Sequence, residues 1–210
     1  MGNRFLKQMT VVCLSAVLSV SGTFLTQAAV YNNHNDPEVY VSGTRINGVN
    51  TAGWTPEEAK TGIEACYGSG YTLTLVGKDG KEEIVQGSEI GMMAVLGDGL
   101  TEILAKENEN GRISGPAVDN NYDLPMNVTY SQEALLNKLS SLVLVTGSDV
   151  VKTENAHIVK NPNGEGFVIV PENEGTDLNM GRLIQAVQEA LASHQPSLNL
   201  AEAGCYEEIT

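Results

Sequence analysis

The residues of this chain whose types could do chemistry are three histidines, three cysteines and several adjacent carboxylates. A nucleophilic serine needs an imidazole within reach, and the candidates are His34, His157 and His194. His34 lies in a polar stretch, His157 alternates with Ala156 and Ile158 in a strand pattern, and His194 ends a helical pattern. They read respectively as solvated, on an exposed strand face, and as a cation suited to a helix carboxyl end. The chain has no Gly-x-Ser-x-Gly elbow to argue otherwise. The pairs Glu57/Glu58, Glu82/Glu83 and Glu207/Glu208 invite a glycosidase reading, which requires two carboxylates facing each other across several ångströms. Neighbours in a helix or strand point apart, so the pairs read as solvated faces. Cys and His never fall at zinc spacings, and the acids do not form a calcium loop. No metal or cofactor is expected. Cys66 and Cys205 could pair in an oxidising exterior; the other reading is a helix-buried Cys66 and a lone thiol at Cys205.

A glycan or peptide platform would draw on Trp54 and tyrosines 40, 67, 71, 122, 130 and 206. Trp54 immediately precedes a helix start, where an apolar residue staples onto the helix, and core packing is expected of it. Asn127-Val128-Thr129 is a formal glycosylation sequon that reads as strand chemistry. No binding residue is singled out.

The elements that must position these groups follow from local signals. Val39-Tyr40-Val41 and Thr44 to Val49 read as extended chain with a turn at Asn47-Gly48. Thr55, Pro56 and Glu58 form a capping box with proline at the first helical position, and Ala59, Ile63 and Cys66 give the buried stripe up to Gly68. Alternation from Tyr71 to Leu75, a turn at Lys78-Asp79-Gly80 and a return over Glu83 to Gln86 predict a hairpin. A helix is predicted over Leu100 to Glu107. Residues 108 to 121, rich in Asn, Gly and Asp, read as a boundary between lobes. Beyond it come a strand at Met126 to Tyr130 and a helix capped by Ser131 with Leu135, Leu136, Leu139, Leu142 and Val143 on one face. A second hairpin spans Ala156 to Lys160 and Phe167 to Val170. A helix capped by Asp177 runs to Ser193, and a strand covers Leu198 to Leu200. Glu89-Ile90-Gly91 with the Leu100 helix parallels Glu174-Gly175 with the Leu183 helix, which predicts a degenerate repeat of hairpin, glycine turn and helix. The fold class is α+β: two small lobes, 39–110 and 121–205, each of antiparallel hairpin strands packed with helices.

At the front, Arg4 and Lys7 precede an uncharged run from Met9 to Leu25, and Thr26-Gln27-Ala28 offers small residues for cleavage. Residues 1–28 therefore read as a signal peptide or a retained membrane anchor, and 29–38 as a spacer. Cys13 falls inside the apolar run after Val12 and reads as an apolar filler, not a lipid-anchor cysteine. Residues 1–28 hold two of the 12 basic residues and none of the 26 acidic ones, so their removal takes the formal charge from −14 to −16. Phosphate binding needs a basic footprint, so nucleic acid is excluded as a partner, and an anionic membrane surface with it.

One stretch resembles a known family. Ile46-Asn47-Gly48-Val49 through Gly53-Trp54-Thr55-Pro56-Glu57-Glu58-Ala59 is the first block. Asn121 to Pro125, Asn155-Ala156, Phe167 to Glu172 and Glu174 to Leu178 are the others. Together they are similar to the peptidoglycan-binding domain that precedes the catalytic domain of many Gram-positive L,D-transpeptidases, and that also accompanies vancomycin-resistance proteins of the W type. The resemblance covers residues 40 to 205. It implies an exported, acidic, non-catalytic module at the cell wall or the outer membrane face, with peptidoglycan and a transpeptidase catalytic domain as partners. The family's catalytic signature is a Ser-His-Gly-Cys-x-Arg run, in which imidazole activates the thiol. Here Ala203-Gly204-Cys205-Tyr206-Glu207 has Ala203 for the His and Glu207 for the Arg, so Cys205 is rejected as a nucleophile. Two alternatives accompany this reading. The chain is the front part of a transpeptidase whose catalytic domain lies outside it, or a structural spacer without ligand.

Overall fold

Asn47 and Gly48 both take positive φ, 50° and 75°, the backbone that a two-residue hairpin turn demands and that Asn-Gly supplies at least cost. In the computed structural model, which describes residues 36–113 and 120–210, this turn joins β1 (Arg45–Ile46) to β2 (Val49–Asn50) in antiparallel register. The expected export segment, most of the spacer and His34 lie outside the described residues. The fold is α+β: among the described residues there are five α-helices and small sheets of two or three strands. The described residues fall into two compact units, and each is discontinuous in sequence.

The first unit comprises, of the described residues, 36–71, 92–113 and 120–129. Helix α1 (Pro56–Tyr67) starts where its capping box dictates: Thr55 Oγ1 accepts from Glu58 N–H, and Glu58 accepts from Thr55 N–H at 2.8 Å. Its buried face is Ala59, Ile63 and Tyr67. Strands β5 (Met93–Leu96) and β7 (Met126–Thr129) pair antiparallel, and β6 (Asn121–Tyr122) lies parallel to β1. Ala94 and Leu96 face inward and join Tyr40, Ile46, Leu100 and Ile103 in the core, the last two from α2 (Leu100–Glu109). A buried carboxylate helps close this unit. Glu107 accepts Val41 N–H at 3.0 Å and the Thr44 hydroxyl at 2.6 Å. Burial, then the charges of Glu107 and Glu102, push the Tyr40 phenol above its ordinary range, and its O–H donates to Leu100 C=O.

The second unit comprises 72–91 and 130–210. Strand β3 (Thr72–Val76) is central, antiparallel to β4 (Glu82–Gln86) and parallel to β10 (Ser197–Asn199). A 3-10 turn, Gly87–Ile90, packs against α3 (Gln132–Ser140), and α5 (Met180–Ala192) packs on β10. Leu73, Leu75, Val85, Leu135, Leu139, Leu183, Val187 and Leu191 are buried here. Strands β8 (His157–Lys160) and β9 (Phe167–Val170) form a separate hairpin.

Several expectations are corrected. Contiguous lobes at 39–110 and 121–205 do not describe the units, because β3–β4 is completed by β10, whereas β1 and β5 are completed by β6 and β7. The expected repeat splits for the same reason: its first hairpin belongs to the second unit and α2 to the first. The helix after Ser131 ends at Ser140; Leu142 precedes a short α4 (Val143–Thr146), and Leu136 and Val143 are exposed, not part of the apolar face. The cap of α5 is Asn179, whose side chain accepts from Arg182 N–H at 3.0 Å; Asp177 does other work, described below.

Candidate functional site

The candidate site is a groove in the second unit, and its walls begin with turn chemistry. Gly77 and the β3–β4 turn bring Lys78 beside Tyr206, whose hydroxyl accepts Lys78 N–H at 2.8 Å. The Lys78 ammonium sits 4.8 Å from the Tyr206 ring centroid, a cation–π distance, and donates to Gly175 C=O. Lys81, on the same turn, is ion-paired with Asp79 and Asp149. Hydrogen bonds from Lys81 hold both carboxyls below the usual aspartate range, and the same partners raise Lys81. These three groups are exposed, so the pairing orders the turn more than it stabilises the fold.

The opposite wall is the 174–177 loop. A Cβ on Gly175 would stand 2.3 Å from Thr153 N, so only glycine admits this close approach of two backbone segments. Asp177, buried, accepts from both Thr153 N–H at 2.9 Å and the Thr153 hydroxyl at 2.7 Å, with Lys152 at 3.3 Å. Burial alone would raise this carboxyl. The Thr153 bonds and Lys152 outweigh burial and leave it below the ordinary aspartate value. The groove between these walls is lined by Lys78, Thr153, Glu174, Glu207, Glu208 and Ile209, with about 390 Å³ of space. A smaller cavity of about 40 Å³ adjoins it at Lys78 and is lined by Tyr206, Lys81, Asp149 and Thr176.

The groove has the volume of a ligand site, but it is open and its lining is mainly polar. Three carboxylates and one ammonium suit a hydrophilic, partly cationic ligand, and Ile209 is the one apolar side chain in the lining. Of the acid pairs, Glu207 accepts from Asn179 and Glu208 from Arg182, at 3.0 and 2.8 Å. Glu58 serves the α1 cap, and Glu83 accepts from Val143 and Leu144 N–H at 2.9 and 2.7 Å. The Glu207 and Glu208 carboxylates thus serve separate partners, and Glu58 and Glu83 each serve a helix start.

The remaining candidates sit elsewhere. Trp54 packs against the first unit's core, with Cζ3 2.5 Å from where a Cβ on Gly62 would stand. Tyr40, Tyr67 and Tyr71 are buried; burial pushes Tyr71 to about 12. His157 is exposed, its Nδ1 3.1 Å from Asn155 C=O. His194 has left-handed backbone (φ 50°) just past α5, and burial lowers its pKa, so it favours the neutral ring and not the helix-end cation expected of it. Cys205 is a free, buried thiol, so the Cys66–Cys205 bridge does not form. Burial raises its pKa against the opposing influence of Arg182. Among the described residues no cluster of His, Cys, Asp and Glu could hold a metal ion, and no helix is long and apolar enough to cross a membrane.

Sequence reasoning singled out Tyr206, Glu207 and Glu208 but not Lys78, Thr153 or Glu174 as their companions. The available signal was Gly175, a glycine between polar residues that a close backbone approach requires. No family model, curated protein or solved structure matches the chain.

Proposed function

We propose that this chain is an exported, non-catalytic cell-wall module that binds peptidoglycan and positions L,D-transpeptidase cross-linking on it. The observation that supports this reading most directly is the polar groove of the second unit. One of its walls, Glu174 to Asp177, is also a block of the family resemblance. Carboxylates at Glu174, Glu207 and Glu208 beside Lys78 complement the amino and carboxylate groups of a stem peptide better than they complement an apolar ligand. The acidic chain as a whole attracts cationic groups in a wall.

Sedimentation of the protein with purified peptidoglycan tests this reading. The expected result is retention well above an acidic control protein of similar size, and several-fold less retention for Glu174→Lys at unchanged circular dichroism. Retention no greater than the control would remove binding from the account and leave a structural spacer.

A further inference from the structure

Hairpin β8–β9 carries large apolar side chains with little over them. Ile158 is 68% exposed, Phe167 77% and Ile169 74%. The register sets Ile158 opposite Ile169 and Lys160 opposite Phe167. Cross-strand partners and residues two apart point the same way, so Ile158, Phe167, Ile169 and Lys160 form one face. A two-stranded ribbon is marginal by itself in water, and among the described residues no third strand joins this one. Such a face gains stability from a cover.

We propose that this face packs against the same face of a second copy of the chain, forming a weak two-fold dimer. Charge and area both favour that occupant. The chain carries a formal charge of −14, so most of its surface repels a copy of itself. This face holds no carboxylate and a single ammonium, Lys160, at one end. It is therefore a place where two acidic chains can touch without opposing like charges across an apolar contact. At roughly 100–150 Å² of exposed surface for each of the three apolar side chains, one copy contributes about 400 Å² and two about 800 Å². The Lys160 stem and the strand margins bring the total near ~1,000 Å², the lower bound for a specific interface. An interface that small suits a reversible dimer, not an obligate one.

Sedimentation equilibrium of the full chain from about 1 to 300 μM tests this, alongside the double variant Phe167→Ser/Ile169→Ser and the control Val143→Ser. Val143 is also exposed but lies on α4. The expected result is a monomer–dimer equilibrium that the double variant weakens at least tenfold and the control leaves unchanged, at equal urea midpoints. Raising salt from about 50 to 500 mM strengthens association, because screening removes the residual repulsion between acidic copies. A monomer at every concentration overturns the proposal. So does association that survives the double variant, or a monomer whose hairpin amides are protected from exchange by another segment or partner.

Discussion

A single carbon, the Cβ, would turn Gly62 of α1 into an alanine. Replacing glycine by alanine in a helix interior ordinarily stabilises by about 0.5–1 kcal/mol. At Gly62 the new methyl would lie 2.5 Å from Cζ3 and 2.8 Å from Cη2 of Trp54, so the indole must move. We expect Gly62→Ala to cost about 1–3 kcal/mol. Trp54 is the sole tryptophan, so its emission should shift to the red as the ring leaves its half-buried site. A stabilised variant with unchanged emission would show that the ring yields freely. Asp177 poses a pH question. Its folded pKa is lowered, so its ionisation stabilises the second unit above the ordinary aspartate pKa, and that contribution disappears as pH falls through the folded value. Asp177→Asn is expected to lose about 1–2 kcal/mol at pH 7, and less at a pH below the ordinary aspartate range, where the difference from the parent chain narrows. Urea midpoints at the two pH values measure it; an equal gap at both would assign the loss to shape instead of charge.

At the scale of elements, what was legible in the sequence is what local chemistry decides. The Asn47-Gly48 turn, the Thr55 box, the Ser131 cap and both hairpins carry their instructions within a few residues. The elements missed or misread are those decided at a distance. Met93–Leu96 shows no alternation of apolar and polar residues, since all four are apolar, and it becomes strand by pairing with Met126–Thr129. Between Asp177 and Asn179, two equally good caps by type, the choice falls to Asn179 because Thr153 engages Asp177. The groove was only partly legible for the same reason: Lys78, Thr153 and Glu174 are far apart in sequence and meet through folding. The α1 box offers a clean test of the local part. Thr55→Ala should cost about 1 kcal/mol in chemical denaturation. Glu57→Gln, whose side chain lies outside the box, should change stability by only a few tenths. Equal effects would mean that the first-turn charges, not the reciprocal bonds, secure the helix start.

For the molecule as a whole, the consequence is that neither unit can be cut out at the glycine- and asparagine-rich stretch that the sequence offers as a boundary. A fragment of residues 121–210 retains β10, α3 and α5 but lacks β3 and β4. β3 stands between β4 and β10 and buries Leu73 and Leu75, so its removal strips the sheet of its centre. Restoring it requires only Thr72–Gly91, and the splice is short because Ile90 C=O accepts Ser131 N–H at 2.9 Å. Residues 72–91 joined by a brief Gly-Ser loop to 130–210 should therefore unfold cooperatively in urea and give dispersed amide resonances, while 121–210 alone should do neither. Cooperative unfolding of 121–210 would mean that β10, α3 and α5 form a core without the central strand. The same spliced protein separates function from fold, because it contains the whole groove lined by Lys78, Thr153, Glu174, Glu207 and Glu208. If it folds and is retained on peptidoglycan as well as the full chain, binding belongs to the second unit; retention lost despite cooperative folding would move the site to the first.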